Sequence, residues 1–93
     1  MKTIWITGGS SGIGFAVAKK FLVENWKVII SSSNEIKLEN AKNKLKNLSN
    51  KENIFSFVCD ITNYDAVQKT VKDIEEKISP IDIALLNAAA YSP

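Results

Sequence analysis

Four short apolar segments of the sequence alternate with three segments of helical periodicity, and this alternation is the strongest constraint on the fold. The strand-like segments are residues 2–7, 27–31, 54–59 and 81–88, where β-branched and aromatic side chains predominate. The helix-like segments are residues 13–25, the stretch from the serine-rich turn at 31–34 to about 48, and the stretch from 62 to 78. The order β-α-β-α-β-α-β predicts an α/β fold, a doubly wound parallel sheet with the strand order 3-2-1-4.

The apolar positions also predict which side of each element is buried. The second and fourth strands are almost wholly apolar, which is typical of parallel strands that helices cover on both faces. Thr62 followed by Asp65 predicts a capping box at the start of the third helix. The predicted inward stripes are Ile13, Ala16, Val17, Phe21 and Leu22 on the first helix, Leu38, Ala41, Leu45 and Leu48 on the second, and Val67, Val71, Ile74 and Ile78 on the third.

The composition excludes several classes of function. The chain has 93 residues, which suits one small domain, and its net charge of +2 is too small to indicate a nucleic-acid partner. Its single cysteine, Cys59, and its lack of histidine exclude an internal disulfide, a Cys/His zinc site and a histidine-dependent nucleophile within the chain. We expect Cys59 to be a buried, inert thiol. No apolar run approaches the length of a membrane span, so we expect a cytoplasmic protein without a membrane partner.

The segment TGGSSGIG, residues 7–14, lies between the first strand and the first helix. Glycines at such a turn let the backbone approach a phosphate, and the helix N-terminus offers unpaired N–H groups with a partial positive charge. We expect Gly8 to form the tight turn, Gly12 to allow close approach to a pyrophosphate, and Gly14 to bring the helix near the strand. Ser10 and Ser11 can donate hydroxyl hydrogen bonds. The segment lacks the Gly-Lys-Ser/Thr ending of a P-loop, which argues against an NTPase.

Three motifs, in order along the chain, resemble those of the short-chain dehydrogenase/reductase family. The segment 7–14 resembles its Thr-Gly-x-x-x-Gly-x-Gly cofactor loop, Asp60-Ile61 its pair at the adenine ring, and Asn87-Ala88-Ala89 its Asn-Ala-Gly after the fourth strand. Leu86 and Ala89 depart from the family's usual Asn and Gly. The resemblance implies a Rossmann-like fold and a nicotinamide dinucleotide partner. The predicted cofactor-binding residues are Gly8, Ser10, Ser11, Gly12, Ile13, Gly14, Ser32, Ser33, Asp60, Ile61, Asn87, Ala88 and Ala89.

The end of the second strand bears on the choice between NADP and NAD. An acidic residue there typically binds the ribose 2′-hydroxyl of NAD, whereas this chain has Ser32 and Ser33. A serine does not repel a 2′-phosphate, so we favour NADP while NAD stays open. All 12 basic residues are lysines, so the usual arginine partner is absent, and Lys37 is the nearest candidate cation. We interpret the lysine cluster of the second helix, with its interspersed glutamates, as a solvated face.

Proton transfer beside a carbonyl needs an acid or base, for which the resemblance implies a Tyr-x-x-x-Lys pair. Tyr64 is followed four residues later by Gln68, and Tyr91 lies next to the end of the sequence, so neither fits. We therefore assign no catalytic and no metal-binding residue. We expect residues 1–93 to be the N-terminal dinucleotide-binding portion of a larger single-domain NAD(P)-dependent oxidoreductase. The alternatives are a free-standing nucleotide-binding or regulatory module and a degenerate chain kept for assembly.

The fourth strand carries one further expectation. In the order 3-2-1-4 it lies at the edge of the sheet, and its sequence IDIALLN is mostly apolar. Exposed apolar edges pair with other chains. We therefore expect residues 1–93 on their own to self-associate, through this strand or through the missing half of the fold.

Overall fold

Strand and helix alternate along the whole of the described chain. The computed structural model describes residues 1–10, 12–48 and 51–87. The elements are β1 (Thr3–Thr7), α1 (Gly12–Val23), β2 (Lys27–Ser32), α2 (Glu35–Lys46), a short 3-10 helix (Lys51–Asn53), β3 (Ile54–Val58), α3 (Tyr64–Lys77) and β4 (Ile83–Leu86). Among these elements, no helix is long and apolar enough to cross a membrane.

The four strands form one parallel sheet in the order β3-β2-β1-β4, which confirms the predicted fold class and topology. In the central register, Thr7 pairs with Ser31 on one side and with Leu86 on the other, and Ser31 pairs with Phe57. All four strands therefore end at the same edge of the sheet, with the segments predicted to bind the cofactor directly after them.

Side chains of successive residues on β1 and β2 point to opposite faces, and each face has its own core. One face carries Ile4, Ile6, Val28 and Ile30, which pack with buried residues of α1 and α2. The other face carries Trp5 and Ile29, which pack with Ile74 of α3. β1 is buried at all five positions because helices cover both of its faces.

Several predicted inward positions are wrong. On α1 the buried residues are Gly14, Ala18 and Leu22, whereas Ile13 is 73% exposed. Small residues at 14 and 18 let α1 lie close to the sheet, which turns the larger Ile13 outward. Leu48 is 50% exposed because α2 ends before it.

The prediction that β4 is buried on both faces is also wrong. Ile83 is 42% and Leu86 66% exposed, since β4 has β1 as its only strand neighbour among the described residues. The predicted stripe of α3 is confirmed in outline, because Ile74 is buried and Val67, Val71 and Ile78 pack beside it.

The helix caps explain where two of the helices begin. Asn34 caps α2, and its Oδ1 accepts from Lys37 N at 3.0 Å. The predicted cap of α3 is wrong, because Asn63 caps this helix and accepts from Ala66 N at 3.0 Å. Thr62 instead belongs to the turn before the helix, where its N–H and hydroxyl both donate to Asp60.

The end of α1 turns the chain back toward β2. Asn25 adopts a left-handed conformation with φ of 67°, and its N–H donates to Leu22 O at 3.1 Å. Trp26 N donates to Phe21 O at 3.1 Å, so the two bonds form the Schellman pattern. The rings of Phe21 and Trp26 pack edge to face with centroids 4.9 Å apart, which adds the apolar contact that often accompanies this motif.

Candidate cofactor-binding site

Hydrogen bonds join the ends of all four strands along the edge where the predicted site residues lie. Cys59 N, after β3, donates to Ser32 O at 3.0 Å. Gly8 N, after β1, donates to Ser31 O at 2.8 Å. Asn87 Nδ2, after β4, donates to Gly8 O at 3.4 Å. The structure therefore places the predicted segments next to one another and holds them in a fixed order across the sheet.

The loop after β1 needs glycine at two positions for conformational reasons. Gly8 has φ of +72° and Gly12 has φ of +61°, a region that residues with a side chain seldom adopt. A Cβ on Gly8 would lie 2.5 Å from Asn87 O. A Cβ on Gly12 would meet nothing within 4 Å, so open space lies over this residue. These observations agree with the tight turn expected at Gly8 and leave room for a ligand beside Gly12.

Two further glycines of the loop allow close packing. A Cβ on Gly14 would collide with Gly8 O and would lie 2.9 Å from Asn87 Nδ2, so α1 approaches the end of the sheet because this residue has no side chain. Gly9, which is not among the predicted cofactor-binding residues, lies against β2. A Cβ there would be 2.7 Å from a methyl carbon of Ile30. The signal for Gly9 in the sequence is only its place in the glycine-rich segment.

The N-terminus of α1 has the features of an anion site. Its first turn contains Gly12, Ile13 and Gly14 and no acidic residue. The N–H groups of a first helical turn have no partners within the helix, and the helix dipole makes this end positive. The open space at Gly12 gives a phosphate access to these groups, so the residues present fit the pyrophosphate of a dinucleotide.

The turns after β2 and β3 present polar groups beside the loop. Ser32 Oγ accepts from Asn34 N at 3.1 Å, and the exposed Ser33 separates the two. Asp60 Oδ1 accepts from Thr62 N at 2.9 Å and from Thr62 Oγ1 at 2.6 Å. These two hydrogen bonds, the hydroxyl's first, hold the pKa of Asp60 below its usual value. Asp60 is therefore ionised at neutral pH and can accept hydrogen bonds from N–H groups of a ligand.

A cleft of about 390 Å³ lies between the glycine loop and α2. Its walls are formed by Ser10, Gly12 and Phe15 on one side and by Lys37, Asn40, Ala41 and Lys44 on the other. The cleft brings together two of the predicted residues, Ser10 and Gly12, and the candidate cation Lys37. Asp60, Ile61 and Asn87 do not line it. Sequence reasoning missed Asn40 and Lys44, although their spacing from Lys37 places all three on one side of a helix.

Three predicted residues, Ser11, Ala88 and Ala89, lie outside the described residues. Ile13, in the first turn of α1, is 73% exposed, and Ile61, in the turn after β3, is 41% exposed. Cys59 is buried, as expected. Within the part of the chain that the structure describes, no group of three or more histidine, cysteine, aspartate or glutamate side chains could hold a metal ion.

A parallel sheet of this order, with a glycine-rich turn joining its first strand to a helix, defines a nucleotide-binding α/β protein. Comparison with known families agrees and is more specific. The family model described as short chain dehydrogenase matches residues 2–93. The chain belongs to the short-chain dehydrogenase family.

Known proteins of this family show how much of a member the chain represents. It is 40% identical over 91 residues to a 3-oxoacyl-(acyl-carrier-protein) reductase of Rickettsia prowazekii, covering 98% of this chain and 34% of that protein. It is 35% identical over 88 residues to a 3-dehydrosphinganine reductase of Arabidopsis thaliana, covering 95% of this chain and 25% of that protein. The structure of 2-keto-3-deoxy-D-gluconate dehydrogenase from Streptococcus agalactiae superposes with a TM-score of 0.90 at 28% identity, covering 98% and 34% of the two chains. The chain therefore spans between a quarter and about a third of the length of these relatives.

Proposed function

We propose that this chain is the N-terminal, cofactor-binding portion of an NAD(P)-dependent short-chain oxidoreductase. The observation that carries the proposal is the open, positive end of α1 under Gly12, reached from a glycine loop that is bonded to the ends of β2 and β4. A pyrophosphate bound there would be held by backbone N–H groups and by the helix dipole. Asp60 and Ile61, after β3, are proposed to contact the adenine ring, and the backbone after Asn87 the nicotinamide ribose.

The bound nicotinamide would accept or donate hydride, and the proposed role of these residues is to bind and orient it. In the complete protein the substrate would be a carbonyl compound or an alcohol. We propose that the proton-transfer residues lie outside these 93 residues, because Tyr64 is followed at the fourth position by Gln68 and not by lysine, and the chain spans only 25% and 34% of the two reductases it resembles. The reductase names of the relatives support an oxidoreductase over a free-standing regulatory module.

A pair of variants at Gly12 tests the pyrophosphate site. Asn and Asp both tolerate positive φ, so Gly12→Asn and Gly12→Asp differ chiefly in one negative charge in the open space. We expect Gly12→Asp to bind dinucleotides at least about tenfold more weakly than Gly12→Asn, because the carboxylate repels the pyrophosphate and occupies the helix N-terminus. Isothermal titration calorimetry measures both. Equal affinities would contradict the proposed site.

We favour NADP as the cofactor because no carboxylate follows β2. Ser32 and Ser33 occupy the place where an acidic residue binds the ribose 2′-hydroxyl of NAD. Titration with both cofactors decides the preference, and tighter binding of NAD would overturn it. We also propose a cytoplasmic location, which the single cysteine of the sequence supports.

We further propose that residues 1–93, studied on their own, self-associate through β4. Ile83 and Leu86 are large apolar residues that remain 42% and 66% exposed on an edge strand. Light scattering over a range of protein concentrations tests this proposal. A monodisperse monomer at high concentration would contradict it.

A further inference from the structure

β3 forms one edge of the sheet and lacks the features that protect such edges. Among the described residues its only strand neighbour is β2. The strand has the sequence IFSFV, without a charged residue or a proline. Edge strands of soluble proteins usually carry one of these, which prevents pairing with another chain. Phe55, Ser56 and Phe57 are half-buried and Val58 is exposed, so the outer side of this strand is accessible.

The backbone of β3 presents alternate residues to this free edge. Cys59 N, directly after the strand, donates to Ser32 O at the end of β2, at 3.0 Å. Because the backbone groups of successive strand residues point to opposite sides, the odd-numbered residues of β3 bond toward β2. The N–H and carbonyl groups that point away from the sheet belong to the other three residues of the strand, Ile54, Ser56 and Val58.

The sequence of β3 is nearly symmetric about Ser56, and this symmetry suits pairing with a second copy of the strand. A two-fold axis at Ser56 relates two antiparallel β3 strands so that Ile54 lies opposite Val58 of the second copy. Both residues of such a pair point outward and exchange two backbone hydrogen bonds. Phe55 then lies opposite Phe57 at a non-hydrogen-bonded site, where side chains are closest and aromatic pairs stabilise a sheet.

The helix beside β3 carries charges that are also self-complementary. α2 packs over β2 and β3. Lys37 and Lys44 line the cleft toward the glycine loop, so the opposite flank of α2 faces the β3 edge. At 100° per residue, this outer flank has two acidic residues in the first half of the helix and two basic residues in the second, namely Glu35, Glu39, Lys42 and Lys46.

Within one chain the charges of the outer flank form no ion pairs. The ion pairs of the described residues are Lys20–Glu24 and Lys69–Asp73. The two glutamates are spaced i, i+4, as are the two lysines, and this spacing is unfavourable for like charges. A second copy with an antiparallel α2 would bring the basic half of one flank beside the acidic half of the other.

The spacing of a continuous sheet permits this contact. Neighbouring strands lie about 4.8 Å apart, so two copies of α2, each above its own β2 and β3, would lie about 10 Å apart. Packed helices have this separation. α2 and β3 both run across the sheet, so the axis at Ser56 passes near the middle of α2 and exchanges its two halves.

We infer that β3 and the outer flank of α2 form an interface for a second copy of this chain, with a two-fold axis at Ser56. The inference does not depend on the dinucleotide-binding function, and it concerns the edge of the sheet opposite to β4. One strand of five residues and one helix flank are small beside the roughly 800 Å² per partner of a stable complex, so we expect a dissociation constant on the order of 100 µM. Glu52 and Asp60 are exposed beyond the two ends of β3, and their like charges confine the pairing to residues 54–58.

Single cysteines test the register of the two strands. In a Cys59→Ala background, Ser56→Cys places two thiols on the axis, with Cα atoms about 5.5 Å apart, which suits a disulfide. Val58→Cys places its thiols more than about 13 Å apart, because residue 58 pairs with residue 54 of the second copy. We expect diamide to link Ser56→Cys at least about tenfold faster, although Val58 is the more exposed position. Equal or faster linking of Val58→Cys would contradict the register.

Charge exchange on the outer flank tests the contribution of α2. Lys42→Glu with Lys46→Glu makes the flank wholly acidic, and Glu35→Lys with Glu39→Lys makes it wholly basic. Each double variant alone should dimerise at least about tenfold more weakly than the unaltered protein, whereas an equimolar mixture of the two should form heterodimers. The fourfold variant, with all four signs exchanged, should recover most of the affinity. Sedimentation equilibrium at low salt and at protein concentrations up to about 1 mM measures these dissociation constants.

The other flank of α2 provides the matched control. Lys37→Glu with Lys44→Glu makes the same change in net charge on the side of the cleft, and should alter the dissociation constant by less than about threefold. Circular dichroism spectra and melting curves check that the variants fold.

Three results would overturn the inference. The first is a protein that stays monomeric at about 1 mM. The second is a dimer that is equally strong in both double variants and is lost in Leu86→Lys, which would place the contact at β4. The third is a mixture of the acidic and basic variants that associates no better than either one alone.

Discussion

The Asn87 side chain donates a hydrogen bond to the carbonyl oxygen of Gly8 at 3.4 Å, joining the end of β4 to the loop after β1. Gly14, in the first turn of α1, lies against the same two groups. The loop after β1, the first turn of α1 and the end of β4 therefore meet around one carbonyl group. The position of the helix N-terminus relative to the sheet depends on this meeting point, so small changes there should alter both stability and ligand binding.

Adding a methyl group at residue 14 should separate these segments. In Gly14→Ala the new Cβ collides with Gly8 O and lies 2.9 Å from Asn87 Nδ2, so backbone must move. We expect a loss of about 1–3 kcal/mol in the free energy of unfolding, measured by urea denaturation, and weaker dinucleotide binding. Ala16→Ser, at an exposed position of the same helix, should change stability by less than about 0.5 kcal/mol. Full stability of Gly14→Ala would show that the close approach is not needed.

Replacing Asn87 tests the hydrogen bond itself. Asn87→Asp keeps the size of the side chain but places a second acceptor against Gly8 O, whereas Asn87→Ala only removes the donor. We expect the melting temperature to fall in the order wild type, Asn87→Ala, Asn87→Asp. Relative to wild type, Asn87→Ala should lose about 1 kcal/mol in the free energy of unfolding. An Asp variant as stable as the wild type would contradict a structural role for this bond.

The buried pair Trp5 and Ser31 should show strong coupling. Trp5 Nε1 donates to Ser31 Oγ at 2.8 Å inside the sheet, and the carbonyl of Ser31 accepts from Gly8 N at the start of the loop. Ser31→Ala leaves the indole N–H without a partner in a buried place, which costs about 1–3 kcal/mol. A double-mutant cycle with Trp5→Phe, followed by urea denaturation, should give a coupling energy of about 0.5–1.5 kcal/mol. Additive effects of the two changes would mean that the bond contributes nothing.

The sequence was sufficient to place the strands, the helices and the loop, because periodicity and glycine spacing are local properties. The strand order then followed from the doubly wound architecture that alternating strands and helices adopt. It was not sufficient for the start of α3, since Thr62 and Asn63 are both good caps and the choice depends on Asp60, which binds Thr62. Nor could it show which lysines of α2 lie beside the loop. That depends on how the buried residues Leu38 and Leu45 set the rotation of the helix against the sheet.

The exposure of β4 illustrates a related limit. An apolar strand has the same sequence pattern whether or not other elements cover it, so the sequence of β4 predicts burial. The exposed fractions of Ile83 and Leu86 depend instead on which elements lie beside β4. The predicted inward position of Ile13 on α1 was wrong for a different reason. Ile13 is apolar but exposed, because Gly14 and Ala18 are the positions small enough to lie against the sheet.

The turn at Asp60 predicts a defined dependence of stability on pH. Hydrogen bonds from the hydroxyl and then the backbone N–H of Thr62 lower the pKa of Asp60 from its usual 3.8. A lowered pKa in the folded state adds stability that is present above the unfolded value and is lost as the pH falls through the folded value. The free energy of unfolding should therefore decrease below about pH 4, and Asp60→Asn should make that decrease smaller.

Asp73 provides the matched comparison for this measurement. A hydrogen bond from Lys69, at 2.9 Å, lowers the pKa of Asp73 in the same direction, so Asp73→Asn should also reduce the acid-dependent loss. The two residues should differ in their response to salt. The Lys69–Asp73 pair joins an exposed lysine to a partly exposed carboxylate and is screened by 0.5 M sodium chloride, whereas the partner of Asp60 is the uncharged Thr62. Urea denaturation between pH 2 and 6 at two salt concentrations measures both effects, and an Asp60→Asn curve parallel to that of the wild type would contradict the role assigned to this turn.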